Sequence, residues 1–390
     1  MAGRNQDITK QYEALNERFG TGDIDRRTFL SCIGLMAMAA GAVTTSSALL
    51  SRAARAATDQ VRFDSYGGFS GAAFRKFALD PFTAKTGIKV AEGSYGSPDE
   101  MVSKVQAEGF GIYNFFWSSQ LTAIWRVRKL GIGTEIDESK VPQMKNLVQK
   151  FVTLHREKLG AGKMTSVPFS LSGATMAYNT TKIDKAEVEA KGFKILLDPK
   201  YKSGIVGDRA YNARVWVAAL QTDQDPNNIK DLDAVWDAIR QARLNSLKFW
   251  GSTAEQVKLW TEGEAYLGDA WYVPFYNMRK GGLPIAGYKN PQTLYVTPGG
   301  VVALKGSPMD AYYELLDILL KPEVMLNWSL ASGNLPLLDP TKVEFPAEVQ
   351  AIPGFDKTGT MDGFLWTDPE YWGTNADMFS KQTQRILAGA

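Results

Sequence analysis

Between Gln60 and Gln120 the chain alternates short apolar runs with longer amphipathic ones, and this alternation decides the fold class. QVRFDSYGG (60–68) reads as a short strand ending in a glycine turn. GFSGAAFRKFALDPFTAKTG follows, with Phe74, Phe77 and Phe82 at helical spacing and Gly87 as the stop. IKVAEGSYG reads as a second strand. SPDEMVSKVQAEG opens with Ser97 as N-cap and Pro98 as first helical residue, with Asp99 and Glu100 at the positive end of the helix dipole. IYNFFWSSQ predicts a strand buried on both faces that runs out into polar residues. Strand, helix, strand, helix, strand gives an α/β lobe with a mainly parallel sheet, because each strand returns through a helix.

The pattern then repeats with two long extended segments around it. TSVPFSLSGATMAYNTTKI (165–183), with Val167, Phe169 and Leu171 alternating, is long enough to cross between two lobes. SGIVGDRAYNARVWVAALQT is strand then helix. FWGSTAEQVKLWTEGEAYLGDAWYVPFYNMRKGG is strand, capped helix, the short strand AYLGDAW and an aromatic helix. LYVTPGGVVALKGS (294–307) reads as the return crossing, and PMDAYYELLDILLKPEVMLNWSLASGNLP as two helices around a proline break. A chain of 390 residues has enough length for two packed lobes. The boundaries expected are 58–172 plus 296–340 for one lobe and 173–295 plus 341–390 for the other.

Residues 1–56 read differently. Arg26-Arg27-Thr28-Phe29-Leu30 is a twin-arginine pattern, followed by an Ala-, Gly-, Ser- and Thr-rich run to Leu50 and a small-x-small site, Ala54-Arg55-Ala56. That order is that of a cleavable export signal, removed after Ala56 or Ala57; the run is mediocre as a stable bilayer span. The segment carries the one cysteine, Cys32, so the exported chain would need no disulfide. It also holds seven of the 44 Lys/Arg and five of the 42 Asp/Glu, which leaves 37 of each in the remainder. A neutral remainder gives no electrostatic support for nucleic-acid binding.

One histidine and one cysteine exclude most His/Cys metal sites, and they argue against Ser–His–Asp or Cys–His catalysis. His155 lies in a helical run and reads as a surface or packing residue. No Walker pattern follows YGGFSG or PGG, so no nucleotide site, cofactor or metal is expected. In an open α/β sheet ligands bind beyond the carboxyl ends of the strands. Those ends carry Tyr66 and Phe69; Trp117, Ser118 and Ser119; Asp208, Arg209 and Tyr211; and Asp269, Trp271 and Tyr272. Phe169 and Ser172 sit on the first crossing and Thr297 on the return strand. Asp208 reads equally as a cap for a helix starting at Arg209. The set is aromatic, hydroxyl-rich and mildly charged, which suits a small polar ligand, including a cation stacked on rings.

The ordered set VRFDSYGG…FRKFALDPFTAKTGIKV…SYGSPDEMVSKVQAEGFGIYNFFWSS, LGIGTEID, SVPFSLSGATMAYNTTKI, LWTEGEAYLGDAW and AYYELLDILLKPEV resembles the periplasmic solute-binding proteins of ABC transporters, in particular the spermidine/putrescine-binding group. The resemblance implies a type II-like periplasmic-binding-protein fold: two mixed, mainly parallel sheets joined by hinge crossings, closing on a solute. It implies a periplasmic monomer with no catalysis, working with a membrane permease and an ATPase. By position, Tyr66 and Phe69 match the family's first-strand aromatics, Ser118 and Ser119 its turn after the third strand, with Trp117 in place of a proline. Asp208 matches its second-lobe acid and Trp271 its stacking tryptophan. The chain departs from the family in two places. VTPGGVVAL lacks the aromatic and acid of the return strand, and Tyr211-Asn212 stand where a second acid is expected after Asp208. Burying several charges without paired carboxylates is costly. A monoamine, quaternary ammonium, amino acid-like or opine-like solute therefore fits better than a long polyamine, and Arg209 or Arg214 is available to a ligand carboxylate. The alternative is an exported, twin-arginine-dependent hydrolase or oxidoreductase; a membrane-anchored adaptor would need the leader retained.

Overall fold

The computed structural model describes residues 59–288 and 295–389. The twin-arginine segment, its cleavage site and Cys32 lie outside them. Residues 61–390 form one compact unit. It opens with β1 (Gln60–Ser65), α1 (Gly68–Phe74), a π-helical turn (Arg75–Leu79), α2 (Asp80–Thr86), β2 (Lys89–Ser94), α3 (Pro98–Glu108), β3 (Phe115–Ser118) and α4 (Leu121–Lys129). The local signals act as read. Ser97 Oγ accepts the Glu100 N–H at 3.2 Å, and Gly87 ends α2 in the left-handed conformation, φ 75°, which glycine adopts without strain. Then come α5 (Gln149–Leu154), a π-helical turn (His155–Leu159) and β4 (Ser166–Asn179). The second half has α6 (Lys185–Lys191), β5 (Ile205–Asp208), α7 (Tyr211–Gln221), α8 (Leu232–Asn245), β6 (Lys248–Trp250), α9 (Thr253–Thr261), β7 (Leu267–Trp271), α10 (Tyr272–Lys280) and β8 (Ile285–Gly287). The chain returns through β9 (Tyr295–Ala303), α11 (Met309–Leu319), α12 (Pro322–Ser332), β10 (Leu335–Pro336), α13 (Ala347–Gln350), β11 (Leu365–Trp366) and α14 (Pro369–Ala388).

The two expected sheets are halves of one eleven-stranded sheet, in the order β2-β1-β3-β9-β4-β7-β5-β6 with β8 and β10 on β4 and β11 on β9. β1 and β3 are parallel, as are β5, β6 and β7. β4 and β9 join the halves. They pair antiparallel from Ser166↔Val302 to Ala174↔Tyr295, and β4 then continues against β7 from Ala174↔Trp271 to Tyr178↔Leu267. A β-bulge between Pro168 and Ser170 adjusts the register.

The first half packs around Phe63, Phe74, Phe115, Phe169 and Trp328. The second packs around Trp216, Trp236, Trp372 and Phe379, and around Val206, Trp250 and Trp260. Phe345, Val349, Ile352 and Met361 join the first core, although the sequence reading grouped 341–390 with the second lobe. The chain reaches the second half at β11, where Leu365 packs on that core, and at α14, whose Trp372 ring lies 5.6 Å from that of Trp216. Gly373 of the same helix sits against Trp125 of α4, where a Cβ would come within 2.4 Å of the indole. α14 therefore touches helices of both halves.

His155 is a packing residue with a specific task. It is fully buried; Nδ1 pairs with Ser166 Oγ at 2.8 Å and Nε2 with the Pro298 carbonyl at 2.9 Å, so one ring stitches the start of β4 to β9. The carbonyl can only accept, so Nε2 carries the proton and Nδ1 accepts from the serine hydroxyl. Gly300 makes room for the ring: a Cβ there would lie 2.6 Å from Cε1. Burial pushes the imidazole down to about 4. The unfolded chain takes up this proton near its ordinary value and the folded chain only near 4. Stability should therefore fall as the pH drops through that window, by roughly 3 kcal/mol. Urea unfolding of wild type and His155→Asn at about pH 7 and about pH 4.5 checks this. The variant should be weaker at neutral pH and lose less on acidification; equal losses would remove His155 as the source.

Candidate functional site

The centre of β4 forms a floor. Its central residues alternate between buried and half-exposed, and Ser172 and Ala174 are the two that reach solvent. They lie on one face, about 7 Å apart along the strand. Ser172 is in register with Thr297 of β9 and Ala174 with Trp271 of β7. The carboxyl ends of β1 and β3 therefore open on one side of this floor and those of β5 and β7 on the other.

The first wall is built from hydroxyls and amides. Tyr66, after β1, shares a 2.6 Å hydrogen bond with Ser119 Oγ, after β3. Thr297 Oγ1 donates to the Ser119 carbonyl at 2.6 Å, which ties the return strand to the same turn. Asn334, in the loop after α12, accepts from Ser172 Oγ and donates to Ser70 Oγ, both at 3.2 Å. Phe69 stands at the start of α1 with 71% of its surface exposed. Three residues expected at the cleft lie elsewhere. Trp117 is buried, its indole donating to Ser170 Oγ at 3.0 Å and packing against Phe74 and Trp328. Phe169 is fully buried against Phe74 and Trp328. β3 is covered on both faces, which gives Trp117 a hydrophobic contact on its side, and Phe169 belongs with Val167 and Leu171 to the apolar row of β4 that faces the core. Ser118 is also fully buried and closes its own turn with Gln120.

The second wall carries the charge. Asp208 ends β5; its carboxylate accepts the Ala210 N–H at 2.9 Å and the Trp271 indole N–H at 3.1 Å. Burial raises its pKa, opposed by the Ala210 N–H and by Arg214. The helix α7 starts at Tyr211 rather than Arg209, so Asp208 braces the turn before it. Trp271 is half-buried at the end of β7. Asp269 faces inward: its carboxylate pairs with the buried guanidinium of Arg214 and accepts the Asp208 N–H at 3.2 Å. Burial lowers Arg214 to about 10, which leaves it charged at neutral pH. Arg214 is thereby removed as a partner for a ligand carboxylate, while Arg209 is exposed beside Gly251. Tyr272 turns away from the cleft and lies buried beside Gly354. Tyr211 is half-buried and packs with the Trp216 and Trp372 cluster. A cavity of about 30 Å³, room for roughly two waters, is lined by Asp208, Asp269, Trp216, Trp250 and Trp271.

The helix ends add to this field. α4, α7 and α10, which leave β3, β5 and β7, have no side-chain cap, whereas α3 and α9, which follow the outer strands β2 and β6, are capped by Ser97 and Ser252. Uncapped helix N-termini present partial positive charge. Among the described residues no group of three or more His, Cys, Asp or Glu forms a metal cluster, and no helix is long and apolar enough to cross a membrane. Ser70, Asn334 and the Arg214–Asp269 pair escaped the sequence reading. They meet across the fold, and no local spacing announces them.

Residues 78–357 match the family model described as bacterial extracellular solute-binding protein. A spermidine/putrescine-binding periplasmic protein of Escherichia coli (strain K12) is 22% identical over 321 residues, 80% of this chain and 88% of that protein. Among solved structures, an ABC transporter substrate-binding protein from Bradyrhizobium japonicum USDA 110 superposes with a TM-score of 0.70 at 18% identity, covering 84% of this chain and 99% of that one. A spermidine/putrescine substrate-binding protein from Streptococcus pneumoniae gives 0.66 at 18% identity, with 84% and 99% covered. At these identities the solved structures establish the shared fold.

Core and wall should separate by mutation. Phe169→Ala should destabilise the protein by about 3–5 kcal/mol. Trp271→Ala should weaken a bound organic cation by roughly 1–2 kcal/mol beyond lost packing. Chemical denaturation and calorimetric titration read the two effects; a Trp271→Ala protein with undiminished affinity would take this ring out of the site.

Proposed function

The chain belongs to the bacterial extracellular solute-binding protein family, and from that premise we propose that it captures a small organic solute carrying one positive charge for an ABC importer. The family is one of binding proteins, which sets the exported-enzyme alternative aside. In this reading the solute is an amine or quaternary ammonium with a polar or anionic end, as in amino acid-like, betaine-like and opine-like compounds. The cation lies against Trp271 beside the Asp208 carboxylate. The polar end meets the hydroxyls of Tyr66, Ser119 and Ser172, the uncapped helix ends and Arg209.

The observation that carries the reading is the charge count around the floor. Asp208 is the acid left to a ligand, because Asp269 is already paired with Arg214. The β9 segment VTPGGVVAL carries no acid, and the Thr297 hydroxyl is engaged by the Ser119 carbonyl. The curated relatives are named for spermidine and putrescine, so polyamines belong in any test. A fully desolvated second ammonium would find no carboxylate here, at a cost of several kcal/mol.

The two halves would close over Ser172–Ala174 by bending where β4 and β9 cross, the monomeric protein would hand its solute to a membrane permease driven by an ATPase, and the twin-arginine segment would direct export and be cleaved near Ala56. A thermal-shift screen of ligand-free protein against monoamines, betaines, amino acids, opines and polyamines tests the solute class. Single-charge compounds should raise Tm most, by mass action. Asp208→Asn should weaken the best of them by about 1.5–3 kcal/mol, as expected for a hydrogen bond to a charged group. A larger shift with spermidine, or no loss in Asp208→Asn, would reject the single-charge reading.

A further inference from the structure

Asp208, Asp269 and Arg214 are three charged groups within one wall, and they differ in what they can offer a ligand. All three are buried, Arg214 with 5% and Asp208 and Asp269 with 6% of their surface exposed, so the difference lies in their partners. The guanidinium occupies a prepared seat. Gly207 of β5 lies beneath it, where a Cβ would come within 2.7 Å of Nη1, and the Phe249 ring is centred 5.1 Å away. On Asp269, Oδ2 takes both Arg214 and the Asp208 N–H, whereas Oδ1 is buried with no hydrogen bond from the described residues. Asp269 lines the same small cavity as Asp208 and Trp271. The wall thus contains a second carboxylate within reach of the ligand space, held neutral by an arginine supplied from α7.

We infer that Arg214 is a specificity-determining residue that sets how many positive charges the cleft accepts. With the guanidinium in place the trio carries one net negative charge and suits one ammonium. A second ammonium would lose its hydration against an ion pair that is already neutral. Without Arg214 the trio carries two negative charges, and Asp269 becomes a partner for the far end of a diamine. Arg214 acts here through Asp269 and is a positioning residue rather than a contact. The inference rests on the reading of the cleft as an amine site.

Calorimetric titration of the ligand-free protein with butylamine and with 1,4-diaminobutane, matched in carbon chain, tests it. Wild type should prefer the monoamine. Arg214→Met should shift the ratio of affinities toward the diamine by about tenfold or more, Arg214→Lys should keep the wild-type ratio, and Arg214→Met with Asp269→Asn should restore it. A merely structural arginine would weaken both amines alike and leave the ratio unchanged, which overturns the inference. If Arg214→Met does not fold, Asp269→Asn decides. It leaves Arg214 unneutralised and should weaken both amines by about tenfold while favouring anionic ligands; unchanged affinity overturns the inference. Wild-type protein that binds neither amine would instead overturn the amine-site reading, and this inference with it.

Discussion

The antiparallel pairing of β4 with β9 is the constraint on which the molecule depends. Each strand belongs to both halves, so the backbone hydrogen bonds between them hold one sheet together where the topology would otherwise give two. The pairing also sets the site. It puts Thr297 beside Ser172 and, two residues on, lets β7 put Trp271 beside Ala174. A slip of one residue would turn Ser172 and Ala174 into the core and bring Leu171 and Gly173 to the floor. The buried His155 guards against that slip, because it reads Ser166 on one strand and Pro298 on the other.

The fold was legible from the chain because its signals are local. Ser97, Gly87 and the apolar run at Phe115–Ser118 each act within a few residues, and the structure uses each of them as expected. The long extended segments were legible too, although their joining of the two sheets into one was not. Continuity depends on which strands pair, and pairing is a property of segments more than a hundred residues apart. The same holds for α14. Its contact with Trp125 requires a glycine at 373, and nothing near Gly373 points to a partner in α4.

The site was legible in position more than in direction. Strand ends drew attention to Tyr66, Ser119, Asp208 and Trp271, which lie around the β4 floor. The direction in which each side chain points was less accessible. Trp117 sits on FFWS, a strand buried on both faces, so the alternation that separates inside from outside is lost there. Phe169 belongs to the alternating Val167–Phe169–Leu171 row, and only the packed core shows which way that row faces. Asp269 looked equivalent to Asp208 because both end strands of the second half. Only the fold reveals that α7 brings Arg214 into an ion pair with Asp269, while Asp208 feels the same guanidinium without pairing with it.

That difference bears on how such a cleft can change its solute without changing its architecture. Adding an acid to a buried wall is costly, since an unpaired carboxylate there must be desolvated. Retaining the acid and neutralising it with an arginine from the adjoining helix keeps the wall's shape, its Gly207 seat and its hydrogen bond to the Asp208 N–H. The net charge offered to the ligand changes by one unit while the backbone stays as it is. Among the described residues β9 brings no acid to the opposite wall, and Thr297 uses its hydroxyl to tie β9 to the β3 turn. The two walls thus arrive at low negative charge by different means, one by omission and one by internal pairing. Only the internally paired wall retains a second carboxylate that loss of a single side chain could expose.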